Sequence, residues 1–152
     1  MRAVVQRVKD AGVSVDGKVV GAIDEGLLVY LGVSDGDDES VCAKVADKIS
    51  KLRIFMDGNG KMNLSVADIG GSILVVSQFT LYADIRRGNR PSYDGAGRPE
   101  HANAMYERFI AMLSEKGFHV EHGVFGAHMH VRYENDGPVT IVVDSDDLSS
   151  GR

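Results

Sequence analysis

Leu27-Leu28-Val29-Tyr30-Leu31 is apolar at every position, and this run limits the fold more sharply than any other part of the chain. A strand with one wet face alternates apolar and polar residues, whereas a short continuous run fits a strand covered on both faces. Ser72-Ile73-Leu74-Val75-Val76-Ser77 has the same character and predicts a central strand. Around these, alternation predicts strands over Ala3–Lys9, Val13–Val15, Val19–Ala22 and Gly26–Gly32, with Asp16-Gly17 as a hairpin turn. A helix capped by Asp37 or Asp38 follows, its apolar positions Cys42, Val45, Ala46, Ile49 and Leu52 falling at helical spacing. A short strand over Leu52–Phe55 leads into Asp57-Gly58-Asn59-Gly60-Lys61, which reads as a turn because it lacks the ligand pattern of a calcium loop.

Pro99 suits the first turn of a second helix, with Ala102, Met105, Tyr106, Phe109, Met112 and Leu113 on its buried face and Gly117 as its stop. Strands over Phe118–Val124, His128–Glu134 and Val139–Val143 complete the chain. The expectation is an α+β domain, β-rich, whose twisted sheet curls into a barrel-like form with two segregated helices outside it. That domain spans residues 1–144, and the acidic tail 145–152 is expected to be disordered.

The 152 residues suffice for one domain with its own core. Cys42 is the only cysteine, which excludes an intrachain disulfide and points to a reducing compartment, the cytoplasm. No apolar run approaches the ~20 residues of a membrane span. A formal charge of −5 argues against a general nucleic-acid binder. Charge is nevertheless uneven: Arg86, Arg87, Arg90 and Arg98 crowd one glycine-rich segment.

Four histidines, His119, His122, His128 and His130, lie close together, but their spacing matches no zinc pattern, and no metal is expected. Ser77 is a conceivable nucleophile, yet Val-Val-Ser-Gln-Phe lacks the glycines of a nucleophile elbow. Arg86, Arg87 and Arg90 offer planar donors suited to phosphate, and Tyr93 offers a ring on which a base can stack. Asn135-Asp136-Gly137-Pro138-Val139-Thr140 sets a Gly-Pro step against a strand, where proline donates no ladder bond. On its own that step reads as a turn.

Taken in order, several segments resemble the D-aminoacyl-tRNA deacylase family over nearly the whole chain. They are Met1–Val8, Gly26–Val33, Leu52–Phe55, Gly60–Ser65, Ser77–Tyr82, Gly88–Ser92 and Asn135–Thr140. The resemblance implies a homodimer, needing no cofactor, that hydrolyses the ester joining a D-amino acid, or mischarged glycine, to the 3′-terminal adenosine of tRNA. It implies catalytic roles for Ser77, Gln78, Phe79 and Thr80, and chiral selection and substrate binding by Gly137, Pro138 and Met129. Arg86, Arg87 and Arg90 become candidates for tRNA contact. It further implies a cis Gly137-Pro138 step inserted into the partner subunit's pocket. Attack is by water helped by the RNA's own 2′-hydroxyl, with Thr80 in a positioning role and backbone N–H groups around Gln78 and Phe79 at the oxyanion. His128, where the family often carries aspartate, and Asp24-Glu25 before Gly26 depart from the pattern outside the two main motifs. Two other readings stay open: a non-catalytic module binding RNA 3′ ends, and a small-ester hydrolase using Ser77.

Overall fold

A computed structural model describes residues 1–148. Two long strands open the chain, β1 (Arg2–Val15) and β2 (Lys18–Gly32), joined through Asp16 and Gly17. Both turn residues have positive φ, +50° and +79°, as a twisted two-residue hairpin requires. The four short N-terminal strands expected are thus two. The polar breaks at Asp10 and near Val13 are register shifts within one hairpin, not strand ends. At Asp10, whose φ is +51°, the side-chain alternation of β1 flips: Ala3 and Val5 face one cluster, Ala11 and Val13 another.

Helix α1 (Glu39–Lys51) is capped by Asp38, whose carboxylate accepts from the Val41 N–H. Asp37 is used differently. It is buried, accepting from the Met1 ammonium at 2.8 Å and from the Ser34 N–H. Cys42 lies fully buried on α1 with its thiol pushed up to about 12 by desolvation, so it is a core residue and not a nucleophile. A small ribbon of β3 (Phe55–Met56) and β4 (Met62–Leu64) follows, its turn tied by the Asp57 carboxylate to the Asn59 and Lys61 N–H groups.

Next come β5 (Ser72–Ser77), a 3-10 turn (Phe79–Tyr82), α2 (Pro99–Glu115), β6 (Val120–His122) and β7 (His130–Asp144). The strand order is β6-β5-β2-β1-β7; β5 runs parallel to both neighbours and the other pairs are antiparallel. Both helices cover one face, where Leu27, Val29, Leu31, Ile73 and Val75 meet Cys42, Ile49, Tyr106 and Phe109. Leu28, Leu74 and Val76 face the other way, into a second cluster with Val8, Val13 and Ile23. The continuous runs of β2 and β5 are therefore explained by two clusters, one on each side.

The barrel-like expectation is met only in part: the sheet curls but does not close. β6 and β7 stand at opposite ends of the ladder and do not pair. The hairpin bends until Gly21 reaches β6, where a side chain at that position would lie 2.6 Å from the His122 carbonyl oxygen. The approach is by contact and by an Ala22 N–H to the Glu121 carboxylate, so the curled sheet stays open. The strands expected over His128–Glu134 and Val139–Val143 are one strand, because pairing with β1 resumes beyond the Gly-Pro step.

The expectation of a disordered tail is also corrected for residues 145–148, which form a 3-10 turn. Ser145 explains it: its hydroxyl accepts from the Met1 ammonium and its N–H donates to the Met1 carbonyl, both at 2.8 Å. Residues 149–152 lie outside the described residues.

Candidate active site

β5 ends at Ser77, opposite Leu31 of β2. The Gln78 N–H continues the ladder, donating to the Leu31 carbonyl at 2.8 Å, and the chain then winds into the 3-10 turn. This corrects one expectation: the Gln78 N–H is already committed and is not free for an oxyanion. The first N–H groups of the turn, those of Phe79 and Thr80, have no acceptor within it. Gln78 contributes through its carboxamide, which donates to the Thr80 hydroxyl. The turn lies close against β2 because residue 32 is glycine, where a Cβ would sit 3.1 Å from both the Gln78 carbonyl and the Leu81 side chain.

Phe79 is 56% exposed, with its ring edge-on to Tyr93 at 4.9 Å. Ser77 is half-buried, and among the described residues its hydroxyl bonds no histidine or carboxylate. Met129 packs against the cluster that contains Val76, the residue before Ser77, and its sulfur fills the space over Gly123.

Gly137 and Pro138 lie elsewhere. Opposite β1, Gln6 pairs with Thr140 and Val8 with Asn135, so residues 136–139 bulge out across from Arg7 alone. The Gly137-Pro138 bond is cis and both residues are exposed. Gly137 has φ +145°, and a Cβ there would stand 2.8 Å from the Val139 side chain.

Side chains hold this bulge, and several of them were not singled out from the sequence. Arg7, only 7% exposed, donates through Nε to the Asp136 carbonyl and through Nη1 to the Ile54 carbonyl, both at 2.8 Å. The Asp136 carboxylate is 3.7 Å from Arg7 and 3.9 Å from Lys9. The Asn135 side chain accepts from the Val139 N–H, and the Asn135 and Gln6 amides both donate to the Thr140 hydroxyl. Among the described residues, no donor reaches the buried Gln6 Oε1. The one sequence signal for Arg7 was its place next to Gln6 in an opening segment with the family's pattern.

The two motifs do not meet within one chain. β2 and β1 lie between β5 and β7, which at ~4.8 Å per strand separates the motifs by roughly 14 Å sideways. On β7, beyond the bulge, Val142 is 75% exposed.

The three arginines also divide. Arg86 is locked onto Asp84, with Nε and Nη2 on the two carboxylate oxygens at 2.9 and 2.7 Å. Asp84 is lowered to about 2, chiefly by that side-chain pairing. Among the described residues, Arg87 and Arg90 are exposed and have no ion-pair partner. His128 and His130 touch edge-on at 5.1 Å, and no group of three or more metal-ligating side chains converges among the described residues. A cavity of about 320 Å³ bounded by Gly71, Ser72, Lys116 and His119 opens at the other end of β5, away from both motifs.

Comparison with known proteins bears on this arrangement. Residues 4–144 match the family described as D-Tyr-tRNA(Tyr) deacylase. The D-aminoacyl-tRNA deacylase of Thermotoga petrophila is 61% identical over 148 residues, covering 97% of this chain and 99% of that protein. That of Thermus aquaticus is 54% identical over 152 residues and covers both chains fully. A solved structure of c-Myc DNA Unwinding Element Binding Protein superposes with a TM-score of 0.89 at 41% identity, covering 95% of this chain and 98% of that one. A probable eukaryotic D-amino acid tRNA deacylase shares the fold, with a TM-score of 0.80 at 19% identity over 93% of this chain and 97% of that one. With both motifs in place and the match running nearly end to end, the chain belongs to the D-Tyr-tRNA(Tyr) deacylase family.

Proposed function

We propose that this protein hydrolyses the ester of D-aminoacyl-tRNA, and of mischarged glycyl-tRNA, to free amino acid and tRNA. It rejects the L-esters and so proofreads chirality in translation. The observation that carries the reading is the pair of exposed motifs on strands too far apart to meet in one chain. A homodimer resolves this by setting the Gly137-Pro138 bulge of one protomer over the Ser77–Thr80 turn of the other. The exposed side chain of Val142, on the strand that carries the bulge, supplies apolar surface for such contact.

An aminoacyl ester is already activated, so the site needs placement and oxyanion stabilisation more than a strong nucleophile. In the proposed complex the Phe79 N–H, with that of Thr80 beside it, faces the developing oxyanion. Water attacks the carbonyl carbon with help from the terminal 2′-hydroxyl of the RNA. The acyl carbon–oxygen bond then breaks, and the departing 3′-oxygen takes the proton given up by the water, leaving the free amino acid and the 3′-hydroxyl of the tRNA. Thr80, held by the Gln78 amide, positions the ester. The route draws on water, RNA and protein alone, without metal or other cofactor.

Chirality follows from crowding. Rigid backbone at Gly137 and Pro138, facing the α-carbon, leaves no room for an L side chain, whereas a D side chain points outward past Met129 and glycine has nothing to exclude. Arg87 and Arg90 are the cations placed to meet acceptor-stem phosphates, Arg86 being engaged by Asp84. We infer a cytoplasmic enzyme, in keeping with the proposed substrates and the single thiol.

The test is hydrolysis of D-tyrosyl-tRNA beside L-tyrosyl-tRNA by protein dialysed against a chelator. Rapid loss of the D-ester alone is expected. Equal loss of both would overturn the chiral filter. Loss of neither, with tRNA still bound, would favour the binding-module reading.

A further inference from the structure

We propose that Arg2 is a positioning residue for the turn that carries Gln78, Phe79 and Thr80, an inference resting on the reading that this turn serves the reaction. Arg2 begins β1, paired to Gly32 on one side and to Asp144 on the other. Its guanidinium joins three elements. Nε donates to the Asp144 carboxylate at 3.2 Å, Nη1 donates to the Leu81 carbonyl at 3.0 Å, and the plane lies over the Tyr82 ring, 4.5 Å from its centre. Leu81 and Tyr82 directly follow Thr80 in the turn.

The turn needs such a hold. At its start only the Gln78 N–H is tied to the sheet, and the last carbonyls of a short helix lack partners within it. Arg2 satisfies one of these and presses the neighbouring ring against Gly32, where Tyr82 would lie 3.3 Å from a Cβ. On its other side Tyr82 meets Gly95, so the ring is packed between glycines while the cation covers its face. Asp144 is itself fixed, its second oxygen accepting from the Asp146 N–H at 3.0 Å. A planar fork that pairs and stacks at once is a task for arginine more than for lysine. With both ends of the turn fixed, the Phe79 and Thr80 N–H groups keep one direction.

Arg2 is 44% exposed at its side chain, so the competing role is a simple contact with RNA phosphate. Single-turnover hydrolysis of D-tyrosyl-tRNA, at saturating and limiting enzyme, separates the two for Arg2→Ala, Arg2→Lys and Tyr82→Leu. Positioning predicts that Arg2→Ala lowers the saturating rate about tenfold, the scale on which small misplacements act, while the half-saturating concentration is unchanged. It also predicts a parallel loss in Tyr82→Leu, which keeps the cation but removes its seat, and partial recovery in Arg2→Lys. A change confined to half-saturation, or an unaffected Tyr82→Leu, would overturn it in favour of phosphate contact. Should Arg2→Ala not fold, Arg2→Lys and Tyr82→Leu carry the same comparison. Thr80→Ala in the same assay guards the underlying reading: full activity there removes the turn from the reaction, whereas loss there with active Arg2 variants removes only the role of Arg2.

Discussion

At the end of β5 the turn is located mainly by backbone: the Gln78 N–H extends the ladder to Leu31, and Gly32 lets the coil settle against β2. The bulge in β7 is held instead by side chains, with Arg7 spanning two carbonyls and Asn135, Gln6 and Thr140 linked beside it. The N–H groups of a main-chain site remain whatever side chains its residues carry, so at the turn only a side chain with its own task, such as the Thr80 hydroxyl held by Gln78, is sensitive to substitution. A side-chain site has no such reserve. The difference also marks where specificity can be altered separately from rate, since the bulge can change shape while the turn keeps its ladder.

The largest expected effect tests whether the two regions serve one site across a dimer. Thr80→Ala and Gly137→Ala each lose activity alone, the second because a Cβ at φ +145° collides with Val139. Mixed after co-refolding, half the dimers are heterodimers with one intact composite site, so about a quarter of wild-type activity returns. No recovery in a mixture shown by mass spectrometry to contain heterodimers would place both motifs of a site in one protomer.

Arg7→Ala comes next. It strips donors from the Asp136 and Ile54 carbonyls and leaves Asp136 with only distant Lys9. A stability loss of about 2–4 kcal/mol is expected from the two orphaned carbonyl acceptors, the half-exposed pair with Asp136 adding little. Denaturant midpoints read the loss. The ratio of D- to L-tyrosyl-tRNA hydrolysis should fall as well, whereas an unchanged ratio would mean the bulge keeps its shape without its central support.

How much of this was legible in the sequence depends on how far each residue acts. Asp16-Gly17, Asp38, Pro99 and Gly117 act within a turn of their own position, and each is where its chemistry indicates. Strand lengths were misread because Asp10 and the 136–139 bulge look like ends when pairing resumes beyond them. Arg7 was missed as a bracing residue because its partners lie 129 and 47 residues away. Residues 145–148 were misread because Ser145 depends on the Met1 ammonium, far away in sequence. Of the site, composition and spacing disclosed only a proline against a strand and a polar strand end. Their connection came from the resemblance, and the division of labour among Arg86, Arg87 and Arg90 required coordinates.

A milder cut sharpens the contrast. Thr140→Val removes the hydroxyl on which the Gln6 and Asn135 amides converge, but leaves Arg7 and the Asn135 bond to Val139 in place. These bonds are exposed, so about 1 kcal/mol of stability is expected to go, with a few-fold loss of D over L preference. If Thr140→Val matches Arg7→Ala in selectivity, the bulge is held by the amide cluster and the guanidinium is secondary.

The smallest effect concerns the loop between the two regions. Arg87→Ala and Arg90→Ala should each reduce the slope of log affinity for tRNA against log salt by about 0.7–0.9, one phosphate contact apiece. Arg86→Ala should leave the slope alone, because Asp84 already occupies that guanidinium. The sign of the titration supports using any ordinary assay pH. A carboxyl lowered in the folded state, here from 3.8 to about 2, stabilises above its ordinary value and loses that contribution as pH falls through the folded one. The pair is therefore fully charged between pH 6 and 8, and the three slopes should keep their order across that range. A slope for Arg86→Ala equal to that of Arg87→Ala would mean that RNA draws Arg86 off Asp84 on binding, which would make this loop, unlike the turn and the bulge, a part of the site shaped by its ligand.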